Sequence, residues 1–244
     1  AGVLQIDPSI FAGIYDRDAH IRIITEAVRL AMRTNFRMRC HVLLYGPPAC
    51  AKTEILKVFA RVLAPHGALS LDATASTKAG IERLLLDAAT PPNFILAEEM
   101  EKKEEEAHRW LLSVMDQRGE ISKINFNVGA VSKAVPALVL ATVNDVVLFE
   151  RMLSGALASR FSHKLYCGRP DRALLERILA REVQAIDGDP RWIAPALDYC
   201  LDVERTDDPR RAIAVCLTGR DRLLTGKFQR DLEAWRPVLR ERIP

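Results

Sequence analysis

The sequence predicts an α/β domain with a five-stranded parallel sheet, followed by a smaller domain that consists of helices. Over the first three-quarters of the chain, short apolar runs alternate with amphipathic helical segments, as crossover connections between parallel strands require. After the turn signal Cys167-Gly168-Arg169-Pro170 the pattern is helical, and no further strand is predicted. We therefore place the boundary between an α/β domain of residues 1–168 and a helical domain of residues 169–244.

Five apolar runs have the length and composition of buried strands. They are His41–Tyr45, Ala68–Leu71, Phe94–Ala97, Ala137–Thr142 and His163–Cys167. The intervening segments Lys52–Leu63 and Ala107–Met115 carry apolar residues at helical spacing. This alternation of strand and helix predicts a parallel sheet.

Four helices are predicted in the second domain. They cover Asp171–Ile186, Arg191–Val203, Pro209–Leu224 and Phe228–Glu241. The third has the clearest start signal, because Asp207 and Asp208 can cap the helix and Pro209 suits its first position.

Composition excludes several classes of protein. The chain has 244 residues, about half of them apolar, but no apolar run approaches the ~20 residues that span a bilayer, and we expect a cytoplasmic protein without a membrane partner. The five cysteines are scattered without the paired spacing of a zinc site or a disulfide framework. A net charge of +3 is too small to demonstrate a nucleic-acid partner, which needs a clustered basic surface.

The segment Gly46-Pro47-Pro48-Ala49-Cys50-Ala51-Lys52-Thr53 lies between the first strand and a helix, with Glu54 next. A loop in this position directs backbone N–H groups at a phosphate, and the helix N-terminus adds its positive dipole end. Lys52 is expected to reach the β- and γ-phosphates of ATP, and the Thr53 hydroxyl to bind Mg²⁺. Ala51 stands where such loops usually have a second glycine, and its methyl group narrows the room for the phosphate. Residues 46–54 therefore form the predicted ATP site.

Two adjacent carboxylates, Glu98 and Glu99, follow the third strand at the edge where open α/β sheets bind ligands. We predict that Glu98 holds the hydrated Mg²⁺ beside Thr53, and that Glu99 orients or deprotonates the attacking water. Aspartate is the usual residue at the first of these positions, so the longer Glu98 changes the metal geometry. The alternative is a solvated acidic helix start, because further charges follow over Glu101–Glu106.

Three further segments follow in a defined order: Ala137–Asn144, Leu157–Phe161 and Asp208–Arg211. With the two motifs above, they make the chain resemble AAA+ ATPases, most closely RuvB-like ATPases of archaeal type. The resemblance implies that Asn144 is the sensor-1 residue, which contacts the attacking water or the γ-phosphate. It implies that Arg160 is an arginine finger directed at ATP in a neighbouring subunit. It also implies that Arg210 contacts the phosphate from a sensor-2 helix, with Arg211 as the alternative.

Two other segments resemble parts of the same family. Ile10–Tyr15 is similar to the segment that borders the adenine, so that Ile14 and Tyr15 are either adenine neighbours or core residues. Two β-prone runs around Gly129 predict a hairpin over Glu120–Pro136. This hairpin resembles the pore hairpin of RuvB-like motors, although an ordinary surface hairpin fits the pattern equally well.

The resemblance implies an ATPase that forms a homo-oligomeric ring, expected to be a hexamer, and acts on DNA. In such a ring Lys123 and Lys133 of the hairpin would form a basic collar that suits phosphates. A second hypothesis is an ATPase that remodels or assembles a protein partner through the same hairpin. A third is a switch similar to a clamp loader, in which ATP binding organises a complex.

Overall fold

The computed structural model describes residues 4–72, 78–102, 105–125, 129–145, 147 and 156–224. The described residues divide into two compact units, the first containing 4–47 and 51–167, the second 48–50 and 168–224. The predicted helix Phe228–Glu241 and the hairpin turn 126–128 lie outside the described residues. Within the described part of the chain, no helix is long and apolar enough to cross a membrane.

Seven strands lie in the first unit. They are β1 (Val42–Tyr45), β2 (Ala68–Asp72), β3 (Phe94–Glu98), β4 (Glu120–Asn125), β5 (Gly129–Ala134), β6 (Leu138–Val143) and β7 (His163–Tyr166). Five of them form a parallel sheet in the order β2-β3-β6-β1-β7. The five predicted strands are confirmed, each to within one residue of its predicted ends.

Strand β6 lies in the middle of this sheet, between β1 and β3, and all six of its residues are buried. Its sequence Leu-Val-Leu-Ala-Thr-Val contains no charged residue, as expected for a strand that is covered on both faces. The helices of the unit are α1 (Asp18–Arg33), α2 (Lys52–Leu63), α3 (Lys78–Asp87), α4 (Glu105–Met115) and α5 (Ala156–Arg160). Leu43, Ile95 and Val139 of the sheet belong to one core together with Trp110 and Leu111 of α4.

The predicted hairpin is confirmed, since β4 and β5 pair antiparallel in a separate two-stranded sheet from Glu120↔Ala134 to Asn125↔Gly129. Lys133, one of the two lysines predicted to form a basic collar, is engaged within the fold, and the collar itself stays a prediction. Its Nζ donates hydrogen bonds to the carbonyl oxygens of Leu86, at 3.1 Å, and Ala88, at the C-terminal end of α3. A cation there stabilises the unpaired carbonyls and the negative dipole end of the helix. Lys133 therefore joins the hairpin to α3.

The second unit has its own core, to which α6 (Arg172–Ala185), α7 (Ile193–Asp198) and α8 (Pro209–Leu224) contribute. Helix α8 begins at Pro209, as predicted, and the Asp208 carboxylate accepts the Arg210 N–H at 2.9 Å. The single helix predicted over Arg191–Val203 is wrong. A 3₁₀ turn over Pro190–Trp192 precedes α7, and a π-helical turn over Tyr199–Val203 follows it.

Candidate nucleotide site

The loop after β1 begins at Gly46, a position at which only glycine fits. Its φ is 138°, and a Cβ atom placed there would lie 2.3 Å from the carbonyl oxygen of Cys167. Cys167 is itself fixed, because its N–H donates to the Tyr45 carbonyl at 2.7 Å. The end of the neighbouring strand therefore confines the start of the loop. A side chain at Gly46 would displace the loop from this position.

Lys52 is buried at the first turn of α2, with 4% of its surface exposed. Its Nζ donates to the carbonyl oxygens of Gly46, at 2.7 Å, and Pro47, at 2.5 Å. The loop thus folds around the ammonium group. An anion at the N-terminus of α2 would meet this cation and the positive end of the helix dipole together.

Two alanines of the loop have left-handed backbone conformations, Ala49 with φ of 62° and Ala51 with φ of 65°. L-residues other than glycine and asparagine pay about 1–2 kcal/mol for this conformation. Ala51 directly precedes α2, where loops of this type usually have glycine. The missing glycine therefore affects the backbone as well as the room for a phosphate.

Ala51→Gly is expected to raise the free energy of unfolding by about 1 kcal/mol, because glycine adopts this conformation without strain. Denaturant unfolding of the full chain measures the change. Ala60→Gly, in the interior of α2, is the matched control and should lower stability by about the same amount. A loss of stability in both variants would contradict the assignment of strain to Ala51.

The remaining loop residues differ in their surroundings. Cys50 is buried and its thiol donates to the Pro48 carbonyl at 3.5 Å, while Thr53 is half-buried in the first turn of α2. Glu54 is exposed and pairs with Lys57 at 3.4 Å, so its carboxylate lies on the solvent side of the helix. This pairing does not support the predicted part of Glu54 in ATP binding.

The sheet register brings the predicted catalytic segments to one edge. β6 pairs with β1 at Leu44↔Thr142 and with β3 at Ala97↔Ala141. Because the strands are parallel, the phosphate loop, the pair Glu98–Glu99 and Asn144 all follow carboxyl ends at this edge. Strand β6, which Asn144 follows, lies between β1 and β3.

Glu99 and Asn144 are in direct contact, since the Asn144 Nδ2 donates to the Glu99 Oε1 at 3.2 Å. Glu99 has a left-handed backbone with φ of 51°, and its N–H donates to the Thr142 Oγ1 at 3.1 Å. Thr142 is 1% exposed and is the one polar residue of β6. Thr142 was not among the predicted site residues, although a hydroxyl in an otherwise apolar central strand was a visible signal. Its hydrogen bond holds the turn that directs the Glu99 carboxylate at Asn144.

Thr142→Val removes this hydroxyl with little change of shape. If Glu99 handles the attacking water, kcat for ATP hydrolysis should fall by about 10- to 100-fold, because misplacement of a catalytic group by about 1 Å has effects of this size. KM for ATP should change little, and Thr142→Ser should restore kcat. Thr25→Val, at a buried threonine of α1, controls for the loss of a buried hydroxyl. Equal kcat in the wild type and Thr142→Val would exclude this positioning role.

The predicted metal ligands lie at the same edge, Thr53 in the first turn of α2 and Glu98 at the end of β3, both half-buried. One hydroxyl and one carboxylate fit Mg²⁺, which keeps most of its waters and is completed by phosphate oxygens. The described residues contain no group of three or more histidine, cysteine or acidic side chains that could hold a metal ion by themselves. The donor set therefore suits a metal that arrives with the nucleotide.

Arg160 ends α5, and 31% of its side chain is exposed. Its Nη1 donates to the Ala156 carbonyl at 3.1 Å, and its Nη2 lies 3.4 Å from the Asp116 Oδ1. Neither partner belongs to the phosphate loop or to the Glu99–Asn144 pair. The predicted role of Arg160 as an arginine finger stays a prediction.

The two arginines at the start of α8 differ in how firmly they are held. Arg211 forms a two-point pair with the Glu204 carboxylate, with its Nε at 2.6 Å from Oε2. This pairing lowers the pKa of Glu204 and raises that of Arg211. The Arg210 side chain is 71% exposed, and among the described residues the carboxylate it pairs with is that of the nearby Asp208, at 3.2 Å. Arg210 is therefore held less firmly than Arg211, and the sensor-2 role of either arginine stays a prediction.

The predicted adenine neighbours Ile14 and Tyr15 are half-buried and follow a 3₁₀ turn over Pro8–Phe11. The Phe11 ring packs against the Phe59 ring of α2, with the ring centroids 5.1 Å apart. The segment is thus attached to the helix that follows the phosphate loop. Contact with adenine stays a prediction.

No family model and no curated protein matches the chain. Among solved structures, it is similar to the RuvB Holliday junction branch migration motor of Thermotoga maritima, with 19% identity and a TM-score of 0.59 over 86% of this chain. A point mutant of the same RuvB aligns with 20% identity and a TM-score of 0.57 over 85% of this chain. The chain spans 64% of the length of either structure. The predicted fold, a five-stranded parallel α/β sheet followed by helices, is confirmed, and the RuvB structures share it.

Proposed function

We propose that this chain is an ATPase of the AAA+ type that binds Mg-ATP at residues 46–53 and uses its hydrolysis to move DNA. The observation that carries the proposal is the arrangement at one sheet edge. A buried lysine at a helix N-terminus and a carboxylate–amide pair follow the ends of three strands of the same sheet. Phosphoryl transfer needs these parts, because its catalysis consists mainly of positioning and charge stabilisation.

Each residue has a distinct part in this proposal. Lys52 exchanges the carbonyls of Gly46 and Pro47 for oxygens of the β- and γ-phosphates. Thr53 and Glu98 would hold Mg²⁺, which supplies charge neutralisation at the phosphates when bound. Glu99 accepts a hydrogen bond from the attacking water, and Asn144 holds the Glu99 carboxylate in place.

The arginines complete the site in this proposal. Arg160 would reach ATP bound to a neighbouring copy of the chain, and Arg210 would reach ATP from the helical domain of its own copy. Cations supplied across a subunit boundary stabilise the charge of the transition state. The proposal therefore includes a homo-oligomeric ring, for which a hexamer is the expected size.

DNA is the favoured substrate because the similar RuvB structure is described as a Holliday junction branch migration motor. A protein substrate is the second candidate. It is favoured by Lys133, which bonds to the C-terminal carbonyls of α3 and so contributes less to a basic collar than its sequence suggested. Ile124 and the other apolar residues of the hairpin would then supply the contact.

The test is the rate of ATP hydrolysis with and without Mg²⁺, and with and without duplex DNA. The proposal predicts hydrolysis that depends on Mg²⁺ and is stimulated by DNA, with stimulation that falls as salt rises. Stimulation by an unfolded protein, and none by DNA, would favour the second candidate. No hydrolysis under any of these conditions would refute the proposal.

A further inference from the structure

The first helix, α1, carries a row of arginines on the side opposite its buried face. Arg22, Arg29 and Arg33 are spaced by seven and four residues, which places them within about 40° of one another around the helix axis. The buried face lies about 180–240° away. It contains Ile24, Val28 and Ala31. Arg37 follows just beyond the helix, and we call these four residues the arginine row.

This part of the sequence is one of two strongly basic stretches of the chain, the other being residues 209–244, which contain nine lysines and arginines and four acidic residues. Residues 17–39 contain six arginines, no lysine and two carboxylates, a net charge of +4, whereas the whole chain has +3. The rest of the chain is therefore slightly acidic. The small overall charge conceals a clustered basic surface, which is the feature that binding of nucleic acid requires.

Most of the arginine row is available to a partner. Arg22, Arg33 and Arg37 are exposed, and the described residues provide no carboxylate within ion-pair distance of them. Arg29 pairs with Glu26, which lies on the same side of the helix, at 2.7 Å. By contrast, Arg39 bonds to the carbonyls of Val114 and Gln117 and therefore does not belong to the row.

We propose that the arginine row is a docking surface for the phosphate backbone of duplex DNA. Eleven residues of helix separate Arg22 from Arg33, a distance of about 16 Å, which is long enough for the row to contact more than one phosphate of the duplex. Guanidinium groups bind phosphates through two parallel hydrogen bonds, and the row consists of arginine alone. The proposal deepens the proposed function, because it names the surface through which the motor holds its DNA.

A membrane surface is less well matched to the same residues. Basic helices that bind membranes insert their apolar face into the lipid. The apolar face of α1 is already buried, with Ile24, Val28 and Ala31 at 0% exposure. The row can therefore offer charge to a partner and little apolar surface.

The test is binding of the full chain to a labelled duplex DNA oligonucleotide as salt is varied. The triple variant is Arg22→Gln, Arg33→Gln and Arg37→Gln. Its plot of log affinity against log salt should be shallower than that of the wild type, with the magnitude of the slope reduced by about 2 to 3, since each phosphate contact contributes about 0.9. ATP hydrolysis without DNA should stay unchanged. The matched control replaces Arg61, Arg83 and Arg118, which are also exposed, by glutamine, and should keep the wild-type slope.

Glu26→Gln tests the same idea in the opposite direction. It removes the negative charge that pairs with Arg29 and releases this arginine, so DNA should bind more tightly and with a steeper salt dependence. An unchanged slope in the triple variant, or an equal loss in the control, would overturn the inference. The inference would also be overturned if the triple variant lost binding to phosphatidylserine vesicles and kept its affinity for DNA. Wild-type chain that binds DNA through the row but hydrolyses no ATP would refute the proposed function and leave this inference standing.

Discussion

Glu99→Gln is expected to bind ATP with wild-type affinity and to lose hydrolysis by a factor of about 10² to 10⁴, the usual contribution of a general base. At this site the substitution is expected to keep the hydrogen bond to Asn144. The Glu99 Oε1 accepts a hydrogen bond from the Asn144 amide, and the glutamine Oε1 can accept the same bond. What changes is the charge and basicity of the group, so the loss of rate reports chemistry rather than a displaced loop.

Lys52→Ala is expected to have the complementary effect and to abolish ATP binding. The buried ammonium is the cation that the structure places within the loop, and no other residue of 46–53 carries a positive charge. Lys57→Ala, one turn later on α2 and exposed, is the matched control and should retain binding. Nucleotide affinity is measured by fluorescence titration, and hydrolysis by phosphate release.

The comparison of the two variants separates the roles. Equal loss of affinity in Lys52→Ala and Glu99→Gln would contradict the division between phosphate binding and water activation. Glu98→Gln decides between the two carboxylates. If it keeps affinity and loses hydrolysis while Glu99→Gln remains active, Glu98 is the catalytic group. The hydrogen bond from Asn144 to Glu99 favours Glu99.

The sheet could be predicted from the sequence because its strands are strongly marked. Each is a short apolar run, and the chain between runs is helical, so the βα order and the shared edge follow. The start of α8 was predictable for a similar reason, since Asp208 and Pro209 act only through their immediate neighbours.

The less predictable features depend on contacts between distant residues or on unusual backbone. Ala51 and Glu99 adopt left-handed conformations that their residue types disfavour, so propensity points away from them. Thr142 acts through a hydrogen bond to a residue 43 positions earlier. Lys133 looked like a free cation in sequence, and only the fold brings it to the end of α3. Local patterns carry no information about such pairings.

The segment Arg191–Val203 illustrates the same limit within one element. Its apolar spacing predicted a continuous helix, but Pro190 begins a separate 3₁₀ turn. Asp189 caps this turn, since its Oδ1 accepts a hydrogen bond from the Arg191 N–H at 3.0 Å. The last five residues then widen into a π-helical turn that ends at Val203. Hydrophobic periodicity places these residues against the core correctly, yet it does not resolve which helical type each turn adopts.

The second large effect is expected at Arg160, where Arg160→Ala should lower the rate of ATP hydrolysis by about 10³ to 10⁵ if the residue is an arginine finger. The alternative is a structural ion pair with Asp116. That pair is partly exposed and its atoms are 3.4 Å apart, so it contributes at most about 1 kcal/mol to stability. A structural role therefore predicts a small change in melting temperature and a small change in rate, and Asp116→Ala should reproduce both.

Mixing the variants tests whether the site is shared between copies of the chain. In a ring of Arg160→Ala and Glu99→Gln subunits, some boundaries unite an intact finger with an intact water site, and activity should reappear although each variant alone is inactive. The size of the recovery should follow the mixing ratio. No recovery at any ratio, in mixtures shown by sedimentation to contain assembled rings, would mean that Arg160 acts within its own subunit. Its bonds to Ala156 and Asp116 would then have to break for it to reach ATP, and Asp116→Ala should speed hydrolysis instead of leaving it unchanged.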